Sequence, residues 1–322
     1  MAKPRVLVTR RWPEEVERQL AERFDVTFNE GDASLGSAKL TAAMGEYDVL
    51  CPTVSDHIDA TVIGGGDRVK LIANYGVGFD HIDIAAAKAK GIAVSNTPGV
   101  LTDATADIAL TLLLMAARRA GEGEREVRTG GWTGWRPTHL LGASLEGKTL
   151  GLVGFGRIGI ATARRAHHGF GMKIAYHGRR EALPDVAREL DAQFHPDLHD
   201  LLAASDFVSL HTPGGPETAN LIDARALAAM KRGAYLINTA RGGVVDHAAL
   251  ADALRSGHLA GAGLDVFPQE PKIPEELLAL ENAVLLPHLG SATRETRVAM
   301  GERALANVIA WSENRPLPDR VA

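Results

Sequence analysis

Three short segments in the last third of the chain carry the residue types that reduction of a carbonyl beside a carboxylate demands. They are Asn238-Thr239-Ala240-Arg241-Gly242-Gly243, Asp265-Val266-Phe267-Pro268-Gln269-Glu270-Pro271 and Leu286-Pro287-His288-Leu289-Gly290-Ser291. A guanidinium such as that of Arg241 binds a carboxylate bidentately, and its charge polarises an adjacent carbonyl. When hydride reaches the carbonyl carbon, the oxygen becomes an alkoxide and needs a proton, for which His288 is the natural general acid. Glu270, hydrogen-bonded to the far ring nitrogen, orients that imidazole and favours its protonated form. Asp265 can hold a nicotinamide carboxamide and so fix which face delivers hydride. Plainer readings stand beside these. The chain has 12 histidines, Glu270 could be a solvated loop acid, and Arg241 could cap a strand end. The joint placement of all three is what favours catalysis.

A glycine-rich turn supplies the partner for this chemistry. Gly154-Phe155-Gly156-Arg157-Ile158-Gly159 follows the apolar run Leu150-Gly151-Leu152-Val153 and opens a helical pattern. In that context the first glycine permits a tight turn, the second lets backbone approach a diphosphate, and the third lets helix and strand pack closely. The diphosphate sits on the helix N-terminus, on the amides of Arg157 and Ile158. An NAD site places Asp or Glu about 20 residues further on, against the ribose 2′-hydroxyl. This chain has Tyr176-His177-Gly178-Arg179-Arg180 there. A carboxylate repels a 2′-phosphate, whereas Arg179 and Arg180 attract one, so NADP(H) is the expected coenzyme. One or both could instead be solvated loop arginines.

These residues need strands to position them. Short apolar runs at 5–8, 26–28, 49–51, 71–74 and 92–95 read as strands, with helical candidates such as 14–23 and 84–89 between them. The rhythm restarts at 150–153, 173–176, 207–210, 234–238, 261–264 and 283–286, a six-strand series. Strands alternating with helices imply mostly parallel sheets. All three chemical segments then fall at carboxyl ends of strands, where ligands bind in such sheets. One long helix is expected over 103–119, acidic early and with Arg118-Arg119 late, and another over 293–312 that could pack on either half. A Gly/Trp-rich stretch, 130–137, lacks core periodicity.

At 322 residues two domains are the natural expectation, and 45% apolar with 23% charged residues is a globular balance. A net charge of −5 argues against nucleic acid. The one cysteine, Cys51, lies in an apolar run and fits a packed side chain in a reducing compartment. The N-terminus runs straight into Val6-Leu7-Val8, leaving no room for a signal peptide, and the longest apolar stretch, 108–117, is too short for a bilayer. A cytoplasmic location with no membrane partner is therefore expected. No metal-ligand spacing, Gly-x-Ser-x-Gly elbow or Walker-type lysine motif is present.

With these motifs in view, the whole chain resembles the D-isomer-specific 2-hydroxyacid dehydrogenases, and within them the glyoxylate reductase/hydroxypyruvate reductase branch. The most specific elements are 154–159, 238–242, 263–267 with Glu270, and Pro287-His288-Leu289-Gly290-Ser291-Ala292-Thr293. The resemblance implies two doubly wound α/β domains: a flavodoxin-like substrate domain (1–100 and 291–322) and a Rossmann cofactor domain (101–290) with a dimerisation arm. It supports Arg241, Glu270 and His288 as the catalytic set. It adds cofactor contacts at Thr105, Thr212, Pro213, Thr239 and Gly290. It also marks Asn74-Tyr75-Gly76-Val77-Gly78-Phe79-Asp80 as a substrate loop in which the amides of Val77 and Gly78 bind the carboxylate. The Gly/Trp stretch resembles the family's homodimer arm, whose tryptophan reaches the partner's active site, with Trp135 as the candidate; Trp132 and Trp135 could instead merely bury area. Nothing resembling the regulatory domain of some phosphoglycerate dehydrogenases follows Ala322.

The expected reaction is NADPH-dependent reduction of a 2-oxo acid to the (R)-2-hydroxy acid. Small residues at Thr53, Val54 and Ser55, in a segment resembling the branch's substrate-side loop, favour glyoxylate or hydroxypyruvate. A broader 2-ketogluconate- or phenylpyruvate-type reductase is the alternative within the class. A non-catalytic NADP(H)-sensing corepressor is the alternative outside it, ranked lower because the Arg/Glu/His set is complete.

Overall fold

Buried parallel strands read as short unbroken apolar runs, because both faces of the sheet are covered. A computed structural model describes residues 2–322 and shows twelve strands, all but Asp25–Phe28 and Gln193–Phe194 carrying buried residues; Met1 lies outside the described residues. The chain divides into two compact units, one comprising Met1–Leu101 with Ser291–Ala322 and the other Thr102–Gly290.

The first unit contains β1 (Arg5–Val8), β2 (Asp25–Phe28), β3 (Val49–Cys51), β4 (Leu71–Ala73) and β5 (Ala93–Ser95). They form one parallel sheet in the order β2-β1-β3-β4-β5, the flavodoxin-like order. The order reverses between β1 and β3, so their carboxyl ends flank the crevice where such sheets bind ligands. Leu7, Leu50, Ile72 and Val94 pack with Ile58, Val62 and Ile63 to make its core. Cys51 is fully buried. The helix Arg294–Ser312, capped by the Thr293 hydroxyl, packs on the helix Glu14–Arg23 and on β4. That answers which half the last helix joins. Beyond it the Val321 amide donates to Val94, so the final residues run along the β5 edge.

The second unit contains β6 (Thr149–Val153), β7 (Lys173–His177), β8 (Gln193–Phe194), β9 (Phe207–Leu210), β10 (Ala234–Asn238), β11 (Leu259–Leu264) and β12 (Ala283–Leu285). The sheet order is β12-β11-β10-β9-β6-β7-β8, a Rossmann order with its switch point between β6 and β9. It has seven strands rather than the six expected. The extra one, β8, is two residues long, too short for any hydrophobic pattern to register. A second correction concerns the helix expected over 103–119. It spans Thr102–Ala117, and Arg119 adopts a left-handed backbone (φ 53°) from which a new helix, Ala120–Arg128, starts. The late arginines therefore belong to the break, not to the helix end. The helix Thr102–Ala117 packs against β11 so closely that a Cβ on Gly263 would lie 2.8 Å from the Leu112 Cβ. Among the described residues no helix is long and apolar enough to cross a membrane.

Candidate active site

The carboxyl ends of β10, β11 and β12 carry Arg241, Glu270 and His288 in that order. Asn238, the last residue of β10, shapes the first turn: its amide group donates to the Arg241 carbonyl (2.9 Å) and its Oδ1 accepts from the Ala240 amide (3.0 Å). The Arg241 side chain bonds back to the Ala240 carbonyl (2.8 Å). The next residue must be glycine, since a Cβ on Gly242 would stand 2.0 Å from the Phe267 carbonyl carbon. This close approach locks the Arg241 turn against the segment that carries Glu270.

His288 is one of few non-glycine residues in the left-handed region (φ 56°), a conformation that costs about 1–2 kcal/mol for most side chains. Asp265 holds it there. Its carbonyl accepts from the His288 amide (3.0 Å), while Oδ1 and Oδ2 accept from the amides of Leu289 and Gly290, both at 2.7 Å. Three bonds from one residue at the end of β11 thus fix the turn after β12. Burial pushes the Asp265 carboxyl above its ordinary pKa, and the Leu289 amide, His288 and the Gly290 amide only partly oppose that shift.

The resulting geometry aims the imidazole. His288 Nδ1 donates to Glu270 Oε2 at 2.7 Å, and Glu270 Oε1 accepts from the Phe267 amide at 3.0 Å. Both carboxylate oxygens are therefore committed, and Nε2 is the ring nitrogen left for a substrate. Burial raises the Glu270 carboxyl pKa, but the hydrogen bond and charge of His288, the Phe267 amide and the charge of Arg241 together hold it below the ordinary carboxylate value. The two side chains are 30% and 33% exposed, so water partly screens the pair.

Around the β6–β9 switch point the chain offers a cradle for a dinucleotide. Gly154 has φ 94°, and a Cβ there would also strike the backbone of His211 at 2.8 Å. A Cβ on Gly156 would meet nothing within 4 Å, so space lies open beside it, and the helix Arg157–Phe170 begins at the next residue. The amides of Arg157 and Ile158, in the first turn, have no acceptor inside the helix. At the adjacent strand ends of β9 and β10, the buried hydroxyls of Thr212 and Thr239 have no hydrogen-bond partner among the described residues. Orphaned buried hydroxyls next to a free helix N-terminus fit an anionic ligand with polar edges. Pro213 follows directly. Thr105, Asp265 and Gly290 converge, since a Cβ on Gly290 would lie 3.3 Å from Asp265 Oδ2 and 3.4 Å from the Thr105 methyl. Gly178, Arg179 and Arg180 follow β7; both arginines are exposed and neither forms an ion pair among the described residues. Burial lowers the His211 pKa to about 4, so the ring beside the glycine turn is neutral at physiological pH.

In the first unit, Val77 and Gly78 lie in the loop after β4. Asn74 donates to the carbonyls of Gly76 (3.0 Å) and Gly78 (2.9 Å), and Asn96 to that of Val77 (2.8 Å). With the carbonyls so engaged, the Val77 and Gly78 amides bond to no backbone group among the described residues. Val54 lies in the turn after β3. Trp135 and Trp132 are exposed, Trp135 by 82%. Reading the sequence missed the amide side chains of Asn74 and Asn96; Asn74, inside the quoted loop motif, was the one available signal.

Comparison with known proteins places this geometry in a lineage. A family model described as the NAD binding domain of D-isomer specific 2-hydroxyacid dehydrogenases matches residues 110–290. A glyoxylate reductase of Thermococcus litoralis is 46% identical over 323 residues, covering 99% of this chain and 97% of its own. An NADPH-dependent glyoxylate/hydroxypyruvate reductase of Sinorhizobium meliloti, solved with NADP and malonate, is similar at TM-score 0.89 and 38% identity, over 100% of this chain and 97% of its own. A glyoxylate reductase of Paecilomyes thermophila is similar at TM-score 0.88 and 34% identity, over 100% and 99%.

Proposed function

The chain belongs to the D-isomer-specific 2-hydroxyacid dehydrogenase family, and on that basis we propose that it uses NADPH to reduce a small 2-oxo acid, of the glyoxylate or hydroxypyruvate type, to the (R)-2-hydroxy acid. The observation that carries the reading is the His288–Glu270 pair at 2.7 Å, next to Arg241 on the neighbouring strand end. NADPH, when bound, supplies the hydride.

The chain's own groups do the rest. Arg241 binds the substrate carboxylate and draws negative charge onto the carbonyl oxygen. Val77 and Gly78 give their amides to the same carboxylate, and Val54 faces the substituent on the reacting carbon. His288 donates the Nε2 proton to the developing alkoxide, while Glu270 holds Nδ1 and compensates the imidazolium charge. Gly154, Gly156, Gly159, Arg157 and Ile158 take the diphosphate; Thr105, Thr212, Pro213, Thr239, Asp265 and Gly290 line the rest of the coenzyme site.

Coenzyme choice rests on Gly178, Arg179 and Arg180, which put two guanidiniums after β7, and on their attraction for a 2′-phosphate. Each charge-assisted bond lost contributes about 1.5–3 kcal/mol. The double variant Arg179→Ala/Arg180→Ala is expected to lose about 10²-fold or more in kcat/KM for NADPH, with NADH use nearly unchanged. The test is steady-state oxidation of NADPH and of NADH with glyoxylate, hydroxypyruvate and 2-ketogluconate. Equal efficiency with both coenzymes in the wild type overturns the NADP assignment; no turnover of any 2-oxo acid overturns the reductase.

The exposed arm around Trp132 and Trp135 is proposed to pair two copies of the chain, with Trp135 reaching the partner's substrate. Sedimentation is expected to give twice the chain mass, and a single-chain mass at micromolar concentration sinks this part.

A further inference from the structure

The turn after β3 is tied together by one buried acid. Asp56 is 1% exposed. Its Oδ2 accepts from the Thr53 amide (2.8 Å), the Thr9 hydroxyl (2.6 Å) and, longer, the Thr53 hydroxyl (3.3 Å). Its own amide donates to the Thr53 carbonyl at 3.0 Å, closing the turn on itself. Oδ1 is buried with no partner among the described residues. A carboxylate taken out of water with one oxygen unpaired costs stability that a neutral side chain would spare. Such a cost points to a job for the turn itself.

What the turn presents is Val54, 39% exposed. The same turn is stitched to the neighbouring loop: Thr53 bridges Tyr75, and the Tyr75 amide donates to the Pro52 carbonyl at 2.8 Å. Val54 Cγ1 lies so near Gly76 that a Cβ on the glycine would be 3.4 Å from it. Val54 and the loop carrying the Val77 and Gly78 amides are therefore immediate neighbours at the carboxyl ends of β3 and β4. In a 2-oxo acid the carboxylate and the side-chain substituent are attached to the same carbonyl carbon. A wall beside the carboxylate-binding amides thus meets that substituent.

We propose that Asp56 is a specificity-determining positioning residue. By fixing the Thr53-Val54-Ser55 turn, it sets the gap between Val54 and the amide loop, which admits hydrogen or a short carbon substituent on the 2-oxo acid and excludes a longer one. The inference rests on the reductase reading and on the role given there to Val54, Val77 and Gly78. Asp56 touches no substrate; it acts through Thr53.

The test compares kcat and KM for glyoxylate, hydroxypyruvate, 2-oxobutyrate and 2-oxo-4-methylpentanoate at saturating NADPH, in the wild type, Asp56→Ala, Asp56→Asn and Thr9→Val. One methylene in a snug apolar site changes efficiency by roughly tenfold or more. In Asp56→Ala the preference for glyoxylate over 2-oxobutyrate is expected to shrink by about that factor, through KM rather than kcat. Asp56→Asn keeps an oxygen for the Thr53 amide and restores most of the preference. Thr9→Val, which removes one donor without changing shape, moves it in the same direction as alanine but less. A lower melting temperature in Asp56→Ala with wild-type ratios between acids makes the residue merely structural and overturns the proposal. If Asp56→Ala does not fold, Thr9→Val and Asp56→Asn decide, and unchanged ratios in both overturn it. A wild type that reduces no 2-oxo acid fails the reductase reading instead, so the two failures are distinct.

Discussion

Replacing His288 by asparagine is expected to lower kcat for glyoxylate reduction by about 10²- to 10⁴-fold, the range a positioned proton donor contributes. Asparagine is the informative substitution because of the backbone. His288 sits at φ 56°, a region that asparagine enters readily and alanine does not. His288→Ala therefore combines lost chemistry with a strained turn, whereas His288→Asn isolates the chemistry. The carboxylate grip proposed for Arg241 is untouched in either variant, so the loss is expected on kcat more than on KM. Asparagine and alanine variants are thus expected to share the kinetic defect and to differ in melting temperature. An asparagine variant that keeps kcat within threefold of wild type removes His288 from the reaction.

The partner of His288 gives this prediction a pH signature. The Glu270 carboxyl titrates below its usual 4.5, since His288, the Phe267 amide and Arg241 outweigh the upward push of burial. A carboxyl depressed in the folded state contributes stability that is complete above its unfolded pKa and disappears as pH falls through the folded value. Glu270 accordingly stays ionised in the folded protein below the ordinary carboxylate value; its contribution to stability starts to fall once pH drops below that value, and activity follows at the lower, folded value. Glu270→Gln erases that contribution, because glutamine does not titrate. It also leaves Nδ1 poorly oriented, so kcat falls less than in His288→Asn.

The legible and illegible parts of this molecule separate by the distance over which a residue acts. Strands such as Ala234–Asn238 and the helix Glu14–Arg23 show their full lengths in local pattern, because apolar runs or helical spacing are bounded by breakers within a few residues. The glycine turn at 154–159 is likewise local, and the positions after β10, β11 and β12 follow once the strands are known. By contrast, β8 is too short to pattern, and the break at Arg119 hides behind a Arg118-Arg119 pair that looks like an ordinary helix end. Within each unit, what the local pattern hides is long-range. Asp265 reaches 24 and 25 residues ahead to two backbone amides, Asp56 reaches 47 residues back to Thr9, and His288 adopts a dihedral that no residue type announces. Side chains that bond to distant backbone set the precision of a site without leaving a periodicity.

Arg241→Ala carries the second large expectation: a loss of about 10²- to 10⁴-fold in kcat/KM for the 2-oxo acid, the effect of leaving a desolvated charge without its partner. Arg241→Lys keeps the charge but not the planar fork, so it recovers part of kcat and little of KM. The variant loses the guanidinium's bond to the Ala240 carbonyl, but the turn keeps both Asn238 bonds and the fit of Gly242 against Phe267. NADPH affinity is expected to stay within threefold of wild type. An independent readout comes from Glu270. Arg241 is among the groups holding that carboxyl down against burial, so in Arg241→Ala the carboxyl rises and the acid edge of stability moves to higher pH. A crippled kcat/KM with that edge unmoved separates Arg241 from Glu270 and breaks up the catalytic set. Full activity with the edge moved leaves the electrostatics standing but takes the carboxylate-binding role away from Arg241. Both changes together are what one guanidinium serving substrate and acid at once requires, and added guanidinium ion should then restore part of the lost rate.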